Sequence, residues 1–100
     1  MNDSNFNTEK LTKKLEDLKP VLAKEYKVKD IGYFGSYASG EERESSDIDI
    51  LVEFEEPLGW KFFELKDFLE EQLGKPVDLV TRNALKEQLR ESILSDTIYV

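Results

Sequence analysis

The chain is 100 residues long and carries 22 acidic against 14 basic side chains, a net charge of −8, with no cysteine and no histidine. That length reads as one domain, residues 1–100, and the acidity argues against direct binding to nucleic acid, whose phosphates reward basic surfaces. Without thiols or imidazoles there is no disulfide, thiolate nucleophile, cysteine-bound zinc or Ser-His-Asp triad, so catalysis must run on oxygen ligands. These suit a hard cation such as Mg²⁺.

Leu11, Leu15, Leu18, Leu22 and Tyr26 recur at spacings of four, three, four and four, so an amphipathic helix is expected from about Asn7 to Tyr26, with Pro20 kinking it or starting a second turn. Val28 to Phe34 reads as a first strand, and Ser36 to Ser39 as a brief helix ended by Gly40. After a polar loop, Asp47 to Phe54 is a second strand, closed by the Glu56-Pro57-Leu58-Gly59 turn. Trp60 to Leu73 has helical spacing and stops at Gly74, and Val77 to Val80 is a short third strand. Asn83 reads as the N-cap of a helix from Ala84 to Leu94, with Leu85, Leu89, Ser92 and Ile93 on one stripe. Thr97 to Val100 either adds a strand or docks on the core. The order αβαβαβα, without repeats or linkers, is expected to give an α/β (α+β) layer structure, a small sheet flanked by helices.

No window approaches the ~18 apolar residues of a membrane span, and Met1-Asn2-Asp3-Ser4-Asn5 lacks the basic and apolar features of a leader, so a cytoplasmic protein is expected. On the Trp60 helix, Phe62, Leu65, Leu69 and Leu73 share a stripe that leaves Trp60, Phe63 and Phe68 outside it. Such rings often mark an interface; alternatively, Trp60 and Phe63 fold back over Leu58 or the first helix. Tyr26, Tyr33, Tyr37 and Tyr99 read as packing residues, with Tyr37 also a candidate nucleotide neighbour.

The chemistry is expected where the first strand runs into Gly35-Ser36. Free amides at a strand-to-helix turn attract anions, Gly35 lets a phosphate approach the backbone, and Ser36 adds a hydroxyl. Asp47 and Asp49, two apart in a strand, face one side while Ile48 and Ile50 enter the core. Asp78, on another strand, is placed to add a third carboxylate. Like charges held this close favour a cation between them, and three carboxylates suffice to bridge two Mg²⁺ ions.

Phe34-Gly35-Ser36-Tyr37-Ala38-Ser39-Gly40, followed by Ser46-Asp47-Ile48-Asp49-Ile50-Leu51-Val52, resembles the Gly-Ser, ten-residue, Asp-x-Asp signature of the minimal nucleotidyltransferases of the DNA polymerase beta superfamily. Gly74 to Val80 resembles that family's third-carboxylate strand, and the likeness runs from about Leu11 to Val100. The resemblance implies the nucleotidyltransferase fold, with its small mixed sheet, and Mg²⁺-dependent transfer of AMP from ATP to a hydroxyl. Gly35 and Ser36 would bind the nucleotide; Asp47, Asp49 and Asp78 would be the catalytic residues and hold two metal ions. Stand-alone members of this size are similar to antitoxins that attach AMP to a tyrosine of a partner HEPN-domain ribonuclease toxin, which makes a hetero-complex the expected assembly. Where the family commonly has Arg, this chain has Ser39, and Arg43 and Arg82 are the candidate replacements. The alternatives are an antitoxin that neutralises its toxin by binding alone, and a catalytic subunit that modifies a small molecule.

Overall fold

The computed structural model describes residues 6–100; residues 1–5, read above for a leader, lie outside the described residues. Helix α1 spans Thr8–Tyr26, and the side chain of its N-cap, Asn7, accepts a hydrogen bond from the Lys10 amide at 2.9 Å. Leu11, Leu15 and Leu22 are its buried stripe. Pro20 does not divide it: the helix continues through the proline to Tyr26 and ends on Lys27 in the left-handed region.

Strands β1 (Val28–Phe34), β2 (Ile48–Phe54), β3 (Val77–Thr81) and β4 (Ile98–Tyr99) form one sheet in the order β3-β2-β1-β4. β1 is antiparallel to β2 and to β4, whereas β2 and β3 are parallel, so the sheet is mixed. Helices α2 (Ser36–Ser39), α3 (Lys61–Leu73) and α4 (Glu87–Asp96) complete the order αβαβαβα with a closing strand.

Alternation along the strands separates a core face from a chemical face. Ile31, Tyr33, Ile48, Ile50, Val52, Val77 and Leu79 are buried in one cluster with the α1 leucines and with Leu65, Leu69 and Leu73 of α3. Residues between them on β2 and β3, Asp49 and Asp78 among them, therefore point to the opposite side. Tyr33 packs in the core with its hydroxyl 2.8 Å from Thr12 Oγ1, a polar tip that finds its partner.

The segment after β3 departs from the sequence expectation. Asn83 caps no helix: Arg82–Ala84 form a single 3-10 turn, Leu85 and Lys86 are extended, and α4 begins at Glu87. Leu85, placed by periodicity on the helix, is buried outside it, while Leu89 is 52% exposed. An apolar residue anchored in extended backbone resets the helical phase, so the expected stripe does not form. Elsewhere the shifts are small, β2 starting at Ile48 rather than Asp47 and α3 at Lys61 rather than Trp60.

β4 is short and depends on a glycine. A Cβ on Gly32 would lie 2.6 Å from the Ile98 carbonyl oxygen and 2.8 Å from Thr97 Cγ2. Gly32→Ala is therefore expected to displace β4 at a cost of about 1–3 kcal/mol, lowering the melting temperature by roughly 4–8 °C per kcal/mol. Faster hydrogen exchange at the Val100 amide, which donates to Ile31 O at 3.1 Å, would locate the damage.

Candidate functional site

Three elements converge on the chemical face. β1 ends at Phe34, paired with Asp49, and the chain then turns at Gly35 with φ +70° and ψ −144°, a conformation essentially restricted to glycine. A Cβ there would collide with Asp49 Oδ2, so Gly35 lies directly against the carboxylate. Opposite, the parallel register pairs Asp49 with Asp78.

That register is held by bonds at the start of both strands. The Ile48 amide donates to the Pro76 carbonyl at 3.0 Å, and the Val77 amide donates to Glu70 Oε2 at 2.9 Å. Lys66 Nζ donates to the same oxygen at 3.1 Å. The Val77 amide, followed by Lys66, holds the Glu70 carboxyl below its ordinary value, an anchor for the strand that carries Asp78.

The Asp49 carboxyl is pushed up to about 6, first by burial, then by the charges of Asp78 and Asp47, and last by a hydrogen bond with Asp78 that needs a proton. Asp47 lies in the loop just before β2 and is exposed, as is Asp78, whereas Asp49 is half-buried. Asp49 and Asp78 are thus brought together, and Asp47 reaches them through its charge. Among the described residues no group of three or more acidic side chains forms a ready-made metal cage. The donor set nevertheless fits a hard divalent ion: all donors are carboxylate oxygens, and their mutual repulsion is what such an ion relieves.

Gly35 also borders a cavity of about 490 Å³ lined by Ser36, Ala38, Ser39, Glu41 and Asp96. The Ala38 and Ser39 amides both donate to the Gly35 carbonyl at 3.1 Å, which closes the turn and leaves the helix start at Ser36 and Tyr37 as its anion-facing end. Ser39 donates to the Ser36 carbonyl and to Glu41 Oε1, both at 3.3 Å. Neither Arg43 nor Arg82 lines this cavity; the first borders a cleft beside Lys75 and the second one at the far end of β2. Asp96 has no local sequence signal, since only the return of α4 brings it here. Tyr37 is buried, its ring edge-on to Phe6 at 6.0 Å, and so packs rather than lining the cavity. Thr8 ties the loop to α1, with Oγ1 2.6 Å from the Tyr37 carbonyl and 3.3 Å from Glu42 Oε2.

A mixed sheet with a Gly-Ser turn against paired strand aspartates defines a nucleotidyltransferase, and the chain belongs to the nucleotidyltransferase domain family, whose model matches residues 9–100. It is similar to the protein adenylyltransferase MntA of Thermococcus cleftensis, with 47% identity over 83 residues, covering 82% of this chain and 84% of that protein. A solved structure provisionally named a minimal nucleotidyltransferase superposes with a TM-score of 0.82 at 38% identity, covering 95% of this chain and 97% of that one. A crystal structure of a toxin–antitoxin with AMP-PNP matches with a TM-score of 0.66 at 30% identity, covering 94% of this chain and 72% of that one. No helix among the described residues is long and apolar enough to cross a membrane.

Proposed function

We propose that the chain is a Mg²⁺-dependent protein adenylyltransferase, acting in the cytoplasm as a single minimal domain, that transfers AMP from ATP to a tyrosine hydroxyl of a partner HEPN ribonuclease toxin. It thereby serves as the antitoxin of the pair. The observation that carries this reading is Gly35 pressed on the Asp49 carboxylate with Asp78 in register opposite, which puts a nucleotide turn and paired acids at one point. The name of the Thermococcus relative supports transfer to protein, and the AMP-PNP complex of a toxin–antitoxin supports both the nucleotide and the kind of partner. A net charge of −8 favours a partner with the basic face that an RNA-binding toxin needs.

In this reading Asp47, Asp49 and Asp78 hold two Mg²⁺ ions, which when bound offset the triphosphate charge and acidify the attacking hydroxyl. Gly35 and Ser36 hold the triphosphate against the first turn of α2. The acceptor oxygen bonds to the α-phosphorus, the α–β phosphoanhydride breaks, pyrophosphate leaves with the electron pair, and the hydroxyl proton passes to the exposed Asp78 carboxylate. Among the described residues the cavity beside the turn is lined by two acids and no basic side chain, so nucleotide affinity is expected to fall steeply when divalent ions are withdrawn.

ATP labelled at the α-phosphate, Mg²⁺ and the purified partner should yield a labelled partner, with the label lost when the acceptor tyrosine is changed to Phe. An unlabelled partner would refute transfer of AMP to that protein. The acidic cavity lining and Ser39 favour a second reading, neutralisation by binding alone. Neutralisation that survives Asp47→Asn/Asp49→Asn would support it.

A further inference from the structure

Four aromatic rings form a row from β2 into solvent. Phe54 meets Phe62 edge-on at 6.3 Å, Phe62 meets Phe63 at 5.7 Å, and Phe63 lies 6.1 Å from Trp60. Phe54 and Phe62 pack against the core, but Phe63 is 57% and Trp60 84% exposed. Phe68, which the helical stripe also leaves out, instead rests 5.5 Å from Tyr26. Exposed aromatic rings that continue a packed row are where interface energy concentrates, since they bring a large amphipathic area with few rotatable bonds.

The row borders a cleft of about 460 Å³ between the β2–α3 loop and the end of β3. Its apolar lining includes Phe54, Leu58 and Phe62, and Glu53, Glu55 and Glu56 face it against one cation, Arg82. Lys61, next to Trp60 in the chain, is committed elsewhere: its Nζ donates to the Glu25 carbonyl at 2.9 Å and lies 5.8 Å from the Tyr26 ring centroid. An apolar cleft with an acidic border repels nucleic acid and acidic segments, and it suits an apolar side chain with basic neighbours.

We propose that this cleft, with Trp60 and Phe63, docks a segment of the acceptor protein that presents an aliphatic or aromatic side chain flanked by Lys or Arg. The identity of the occupant as the acceptor rests on the adenylyltransferase reading; the chemistry of the segment does not. Asp49 and Phe54 lie five residues apart on β2, about 16 Å at strand rise. Docking at one end of the strand leaves the acids at the other end free and holds the acceptor hydroxyl at high local concentration.

The test is a ¹⁵N chemical-shift titration of the whole chain with two synthetic peptides, one with Leu and Phe flanked by Lys and Arg, the other with the same apolar residues flanked by Glu. The basic peptide should shift the Trp60 indole N–H and the amides of Leu58, Phe62 and Arg82, and the acidic peptide should not. Trp60→Ala/Phe63→Ala should weaken binding at least about tenfold. Glu53→Gln/Glu55→Gln/Glu56→Gln should weaken it and flatten its salt dependence. Asp49→Asn should bind the peptide as the native chain does, so a failure of AMP transfer and a failure of docking are read separately. Equal binding of both peptides, shifts confined to the Tyr26–Phe68 side, or undiminished binding by Trp60→Ala/Phe63→Ala would overturn the proposal. So would sedimentation showing a dimer of the native chain that Trp60→Ala/Phe63→Ala dissolves, since a second copy would then be the occupant.

Discussion

Asp49→Asn should lower AMP transfer by at least on the order of 10²-fold while making the metal-free chain more stable at pH 7. Both effects come from one carboxylate. Its pKa of about 6 in the folded chain, raised by burial, Asp78 and Asp47, exceeds the value of about 3.9 expected when unfolded. Between those values the folded chain holds the proton more tightly, so stability falls as pH rises from about 4 to about 6 and the penalty is complete above that. Asn carries no charge and escapes the penalty. Because the side chain is only half-buried, water screens much of the repulsion, and the gain should be about 1 kcal/mol, or roughly 4–8 °C in melting temperature. Near pH 4 the two proteins should melt together. Thermal melts of both at pH 4 and pH 7 in the presence of a chelator check the sign, and a variant that gains stability as it loses activity is what strain held for function produces.

Gly35→Ala should lower both the stability of the fold and AMP transfer. The backbone conformation there is unfavourable for any side chain, and the added carbon would strike Asp49 Oδ2. Strain of about 1–3 kcal/mol follows, so with ~2 kcal/mol the melting temperature drops by roughly 8–16 °C. Transfer should fall as well, because the carboxylate must move. Gly40→Ala and Gly74→Ala are the controls: both positions have positive φ, but nothing lies within 4 Å of the added carbon. They should cost about 1 kcal/mol and leave transfer intact. Combining Gly35→Ala with Asp49→Gly should restore part of the lost stability, since the collision needs both side chains.

The sequence announces those elements whose signals are local. The leucine spacing of α1, the glycines at 35, 40 and 74, and the alternation of Ile48 and Ile50 with the aspartates each express short-range sterics or burial, and the structure places these elements as expected. Asp49 opposite Asp78 depends on parallel pairing across an intervening helix, which no local pattern encodes. α4 misled the periodicity because Leu85 is buried from extended backbone, and Asn83, a good cap by type, falls inside a 3-10 turn. The cavity acid Asp96 and the glycine contact that admits β4 are products of chain return and have no local sequence signal. Trp60 and Phe63 were legible only as departures from a stripe, and the structure leaves them in water.

AMP transfer by this chain requires the carboxylates at positions 47, 49 and 78 to take up divalent ions together with a nucleotide. Electron paramagnetic resonance of Mn²⁺, titrated into the chain with and without a non-hydrolysable ATP analogue, measures this directly. Nucleotide-dependent uptake of Mn²⁺ by the native chain, lost in Asp47→Asn/Asp49→Asn, is the predicted result; equal uptake by both proteins, or none by either, would contradict it.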